Sequence, residues 1–195
     1  MIRIGILGDI GSGKSFVAKL FGYPVFNADN EVAKIYKNNR ACFLKLKRLI
    51  PKYIKTFPID KTELTNAILS NKSNIKKITK IVHPLIRKKM NLFLLKNKKR
   101  KLVILDIPLL LENKIKNTNM ILVFVDAKKV DISKRLLKRK GFNSKILKRL
   151  KQIQLPLDYK KRKSHYIVNN FYTKKIVRKN VKTILKKILK WERLF

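Results

Sequence analysis

The sequence predicts a parallel α/β sheet wrapped by helices, and three observations carry that prediction. An almost wholly apolar run, Ile2-Arg3-Ile4-Gly5-Ile6-Leu7, opens the chain without the alternation of a half-exposed strand, as expected for a strand covered on both faces. A glycine-rich turn, Gly8 to Gly13, follows it and leads into helical spacing. Strand-sized and helix-sized apolar patterns then alternate, the grammar of strands joined by crossover helices.

After the turn, residues 14–22 read as a helix, with Val17, Leu20 and Phe21 at core spacing and Gly22 as its stop. Residues 24–27 form a short second strand. Residues 28–39 are helical, with Val32, Ile35 and Tyr36 on one face. From about residue 40 to 101 helical periodicity dominates (Ile75, Ile78, Ile81, Val82, Leu85, Ile86), broken at Pro51, Pro58 and Pro84, and this reads as a helical insertion beside the sheet. Strand character resumes over 102–106 and 120–126. Helices are expected over 130–139 and 144–154, joined by a turn at 140–143. A last short strand spans 166–168. An amphipathic helix over 173–191 closes the chain, with Val177, Val181, Ile184, Leu185 and Ile188 on one face.

Composition bounds the function. At 195 residues and 45% hydrophobic, the chain can bury one domain's core. Its apolar runs are too short to span a bilayer, and the longest, 102–111, is interrupted by Asp106 and Pro108. The chain starts directly in a strand-like run, so no signal peptide is expected. A single cysteine, Cys42, excludes an intramolecular disulfide and a multi-cysteine zinc site, and reads as a small core residue. Two histidines, His83 and His165, argue against a histidine-rich metal centre. A cytoplasmic monomer or small homo-oligomer is the expectation.

Fifty Lys and Arg against 11 Asp and Glu give a net charge of +39. The excess runs from Lys34 to Arg193, with clusters at 98–101 and 160–163, and is not gathered on one helix or arm. Lys, Ile and Asn abound while Gly, Pro and Ala are scarce, so the charge reads as a composition bias. Nonspecific RNA binding at low salt is expected, but no specific nucleic acid and no membrane partner.

The chemistry begins at Gly8-Asp9-Ile10-Gly11-Ser12-Gly13-Lys14-Ser15, which fits G-x-x-x-x-G-K-[ST] without a gap. The chain has only 6 glycines and three lie here, which weighs against a chance match. Glycines let successive amides point into one concavity at a helix N-terminus, where the helix dipole favours phosphate. Lys14 supplies a mobile cation for the β/γ-phosphates, and Ser15 a hydroxyl for Mg²⁺. Phe16 completes the candidate nucleotide-binding stretch.

The carboxylates come next, because a phosphate loop does not specify the acceptor. Asp29 follows the second strand at the sheet edge where ligands bind. It suits either a helix N-cap or a group that takes a proton from an attacking hydroxyl. Asp106 ends the third strand and suits either a turn or Mg²⁺. Asp126 reads as structural. Arg135 and Arg139 lie four apart on a helix and suit a solvated basic face. His83 before Pro84 suits a helix start or a packed position, and Glu112 a cap after the Pro-Leu-Leu turn.

Taken in order, Gly8–Ser15, Asn27-Ala28-Asp29, His83-Pro84-Leu85-Ile86, Pro108-Leu109-Leu110-Leu111-Glu112 and Tyr166-Ile167-Val168-Asn169-Asn170 resemble the signature of dephospho-CoA kinases, over about residues 2 to 190. The resemblance implies a P-loop kinase fold: a parallel sheet flanked by helices, with a helical substrate-binding insertion and a helical lid. The core would be about 1–39, 102–127 and 164–195, the CoA-binding region about 40–101 and the lid about 128–163. It implies ATP-dependent phosphorylation of the ribose 3′-hydroxyl of dephospho-CoA with Mg²⁺, the last step of coenzyme A synthesis. Asp29 resembles the general base. Lys14 and Ser15 serve ATP and Mg²⁺, with Asp106 as a second metal contact. Arg135 matches the lid arginine, and Arg139 and Asn170 are further nucleotide contacts. His83, Leu110 and Glu112 fall in the substrate-side motifs. The departures are Asn27 for the first acid of an Asp-x-Asp box, Leu7 for a common Thr, Asp9 for a common Gly, and Asn169 for a common acid. Another nucleoside or nucleotide kinase is the alternative, and a basic nucleic-acid-binding P-loop protein a remote one.

Overall fold

The computed structural model describes residues 1–112, 120–139 and 141–191, with only the backbone of residue 191. The first residue of the turn expected at 140–143 therefore lies outside it. The chain forms two compact units: the described residues of 1–27, 97–142 and 153–195 make the first, and residues 28–96 and 143–152 the second.

The first unit is built on five parallel strands: β1 (Ile2–Gly8), β2 (Val25–Asn27), β3 (Leu102–Asp106), β4 (Met120–Asp126) and β5 (Tyr166–Asn169), in the order β2-β3-β1-β4-β5. β3 is buried at all five positions, which explains its unbroken apolar run. The helices of this unit are α1 (Lys14–Leu20), α6 (Lys129–Leu137), α8 (Leu157–Arg162) and α9 (Lys174–Trp191). Val17, Ala18 and Phe21 meet Val177, Val181, Ile184 and Ile188 of α9 in one core with β1, β3 and β4. The i, i+4, i+7 spacing of the α9 residues puts them on one face, leaving its lysines to water.

The second unit is helical: α2 (Ala28–Asn38), α3 (Arg40–Leu49), α4 (Lys61–Ser70), α5 (Ser73–Lys96) and α7 (Ser144–Gln152). Its core holds Ile35, Cys42, Phe43, Leu46, Ile54, Leu64, Ala67, Ile78 and Val82. Asn39 caps α3 by accepting from Cys42 N at 2.8 Å, and Asp60 caps α4 by accepting from Thr62 N at 2.9 Å. The Thr62 bonds hold the Asp60 carboxyl below its usual value.

One local expectation is corrected, and one helix is added. Pro84 does not break the helix: α5 runs through it. Proline removes one amide donor and crowds the preceding turn, but Ile75, Ile78 and Val82 before it and Met90 and Leu94 after it are buried, and this packing carries the helix across. The lysine-rich stretch near residue 160 contains a helix, α8, that periodicity did not reveal, because six residues span less than two turns.

Candidate functional site

The loop between β1 and α1 takes the shape its glycines permit. Gly11 and Gly13 have φ of 89° and 95°, in the left-handed region that L side chains avoid. Gly13 is the N-cap of α1, so the first-turn amides, which have no intrahelical acceptors, face forward from the loop. Ser12 N donates to Asp9 O at 3.1 Å and closes the turn. The Asp9 carboxylate folds back onto Ile10 N at 2.7 Å. Lys14 Nζ donates to Gly8 O at 3.2 Å and Asp9 O at 2.7 Å, curling over the loop. Ile10 is half-buried, and Phe16 packs against the sheet core.

Two distant side chains brace this loop. Asn170 Nδ2 donates to Ser12 O at 2.7 Å, and Arg135 donates to Ser12 O at 3.0 Å and Asn170 O at 2.8 Å. A Cβ on Gly13 would run into Asn170 Nδ2, so the glycine and its brace require each other. Arg139 is exposed beyond the end of α6.

The carboxyl ends of β1, β2 and β3 share one sheet edge, because Asn27 and Asp106 are register partners. There Ser15 Oγ donates to Asp106 Oδ2 at 2.5 Å, and Asn27 Nδ2 donates to the same oxygen at 2.6 Å. Asp106 is only 2% exposed, and these contacts offset the loss of water around its charge. Hydroxyl and carboxylate are hard donors, and no cluster of three or more His, Cys, Asp or Glu suited to a metal occurs among the described residues. That donor set fits Mg²⁺, which favours one or two protein oxygens plus phosphate oxygens and water.

Further along the first unit, Leu110 is 1% exposed and packs where a Gly5 side chain would stand. Glu112 Oε1 accepts from Leu155 N at 3.0 Å and pairs with Lys160 Nζ at 2.6 Å. The Lys160 side chain is 1% exposed, although Lys161, Arg162 and Lys163 just after it are exposed. Periodicity and composition give no sign of this pair. Lys160→Ala should destabilise the protein by about 3–5 kcal/mol, because it strands a buried carboxylate. Lys160→Met with Glu112→Leu should recover most of that loss. Urea unfolding checks both, and a Lys160→Ala midpoint equal to wild type would refute the pair's importance.

In the helical unit, Asp29 is exposed in the first turn of α2, two residues along the chain from Asn27. His83, Arg87, Lys88, Asn91 and Leu92 line a hollow of about 390 Å³ along α5. Burial, helped by the Arg87 charge, holds the His83 imidazole below its usual pKa, which favours its neutral form. No described helix is long and apolar enough to cross a membrane.

The sequence model of the dephospho-CoA kinase family matches residues 2–175. A dephospho-CoA kinase from Wolbachia pipientis wMel is 34% identical over 187 residues, covering 93% of this chain and 95% of that protein. One from Agrobacterium fabrum is 30% identical over 200 residues, covering 96% and 98%. A crystal structure from Thermus thermophilus matches with a TM-score of 0.72 at 28% identity over 96% of both chains. The dephospho-CoA kinase from Campylobacter jejuni matches in fold, with a TM-score of 0.66 at 22% identity over 97% of this chain and 98% of that one.

Proposed function

The chain belongs to the dephospho-CoA kinase family, and from that membership we propose that it transfers the γ-phosphoryl group of ATP to the ribose 3′-hydroxyl of dephospho-CoA, in the cytoplasm. The observation that carries the reading is the braced loop of Gly8–Ser15 beside the Ser15–Asp106 pair.

Loop amides and Lys14 bind the β- and γ-phosphates and counter charge on the transferring group. Ser15 and Asp106 would hold Mg²⁺, which supplies charge neutralisation between the phosphates when bound. Asp29, tethered two residues beyond the end of β2, orients the 3′-hydroxyl and takes its proton as the oxygen attacks phosphorus. Arg135 and Asn170 keep the loop open to phosphate by fixing Ser12 O, and Arg139 adds charge from the lid side. His83 with Arg87 and Lys88 offers a neutral donor or acceptor next to two cations, suited to the substrate's pyrophosphate. Leu110 and Glu112 act by fixing the backbone of the 108–112 segment.

The test is ATP consumption with dephospho-CoA against a panel of nucleosides and nucleoside monophosphates, with the product read by mass and ³¹P NMR. Dephospho-CoA is expected to be the preferred acceptor by at least about 100-fold in kcat/KM. Preference for a nucleoside or nucleotide would reassign the acceptor.

A further inference from the structure

We propose that Asn27 is a positioning residue that holds the Ser15–Asp106 pair at one negative charge, so that a divalent cation arrives with the nucleotide and is not captured by the protein alone. This role rests on the reading that Ser15 and Asp106 serve the cation. Asn27 and Asp106 face each other in register at the ends of β2 and β3. The Asn27 amide donates to Asp106 Oδ2 at 2.6 Å, the same oxygen that receives the Ser15 hydroxyl at 2.5 Å, and it also donates to Ser15 Oγ at 3.3 Å. One carboxylate oxygen is therefore held from two sides by neutral donors.

This arrangement has two effects on chemistry. The Ser15 hydrogen is committed to Asp106 and one Oγ lone pair accepts from the Asn27 amide, which leaves the other lone pair for a cation. The buried Asp106 charge is also satisfied within the protein, so the edge is stable without any ion. A carboxylate at position 27 would place two anionic oxygens at hydrogen-bond spacing in a poorly solvated place. Their repulsion would be relieved by capturing a divalent cation. The amide thus separates folding of the edge from metal supply.

The experiment uses the full chain without nucleotide and Mn²⁺ as the probe, read by electron paramagnetic resonance and calorimetry. Asn27→Asp is expected to bind Mn²⁺ at least about tenfold more tightly than wild type. Its melting temperature should rise with Mn²⁺ and fall with EDTA, while that of wild type moves little. The exchanged variant Asn27→Asp with Asp106→Asn restores one amide and one carboxylate, and should lose both effects. Equal Mn²⁺ affinity in wild type and Asn27→Asp overturns the proposal, as does an exchanged variant that keeps the gain. If Asn27→Asp does not fold alone, recovery by Mn²⁺ or by the exchange supports the proposal, and recovery by neither overturns it. Wild-type turnover is titrated with Mg²⁺ in parallel. Turnover indifferent to Mg²⁺ removes the reading of Ser15 and Asp106 itself. Mg²⁺-dependent turnover with no gain in Asn27→Asp removes only the role of Asn27.

Discussion

Lys14→Ala is expected to lower kcat by about 10³-fold while leaving the fold in place. The ammonium donates to Gly8 O and Asp9 O, which are loop carbonyls in a part-buried setting. Such bonds are worth about 1 kcal/mol each, so the loop loses modest stability. The loop shape itself rests elsewhere, on the positive-φ glycines Gly8, Gly11 and Gly13 and on the Asn170 and Arg135 braces at Ser12 O. What disappears is the only mobile cation the loop sequence supplies to a phosphate. Since that charge matters most as negative charge shifts during transfer, the loss should fall on kcat more than on KM for ATP. Steady-state kinetics with a parallel melting curve checks this. A near-normal kcat, or a collapse of the melting temperature, would contradict it.

The second large effect is expected from Asp29→Asn, a fall in kcat of about 10²–10⁴-fold. The amide keeps the size of the carboxylate and its place in the first turn of α2 but cannot accept the hydroxyl proton. The favourable interaction of the exposed acid with the helix N-terminus, about 0.5 kcal/mol, is lost with the charge. KM for dephospho-CoA should move little if the residue acts on the proton. Turnover of the Asp29→Asn variant at close to the wild-type rate would remove the side chain from that role and leave it as a helix-end residue.

Much of the architecture is legible locally. The strands at 102–106 and 120–126 have the bounds their apolar runs predict: β3 is covered at every position, and β4 is buried over Val123–Val125 and half-buried at its other positions. The five-stranded parallel sheet follows from alternating strand and helix patterns. Helices with a one-sided apolar stripe, such as α9, are equally readable. Pro84 misleads because one residue's backbone preference is outweighed by the residues buried on both sides of it in the 24-residue helix. The helix α8 is too short to show a period. The grouping of α2 and α7 with the helical unit comes from contacts that neither helix's own sequence displays.

The phosphate loop, the order of the strands and the family can be read from the residues alone, because each depends on residue types within a short run or on motifs in a set order. Which side chain holds which is settled by contacts in the folded molecule. Ser15 meets Asp106 across 91 residues, Ser12 meets Asn170 across 158, and Lys160 leaves a solvated cluster to neutralise Glu112. A buried polar group must find a partner wherever the fold brings one, and that choice depends on distances in space which the spacing of residues along the chain does not encode.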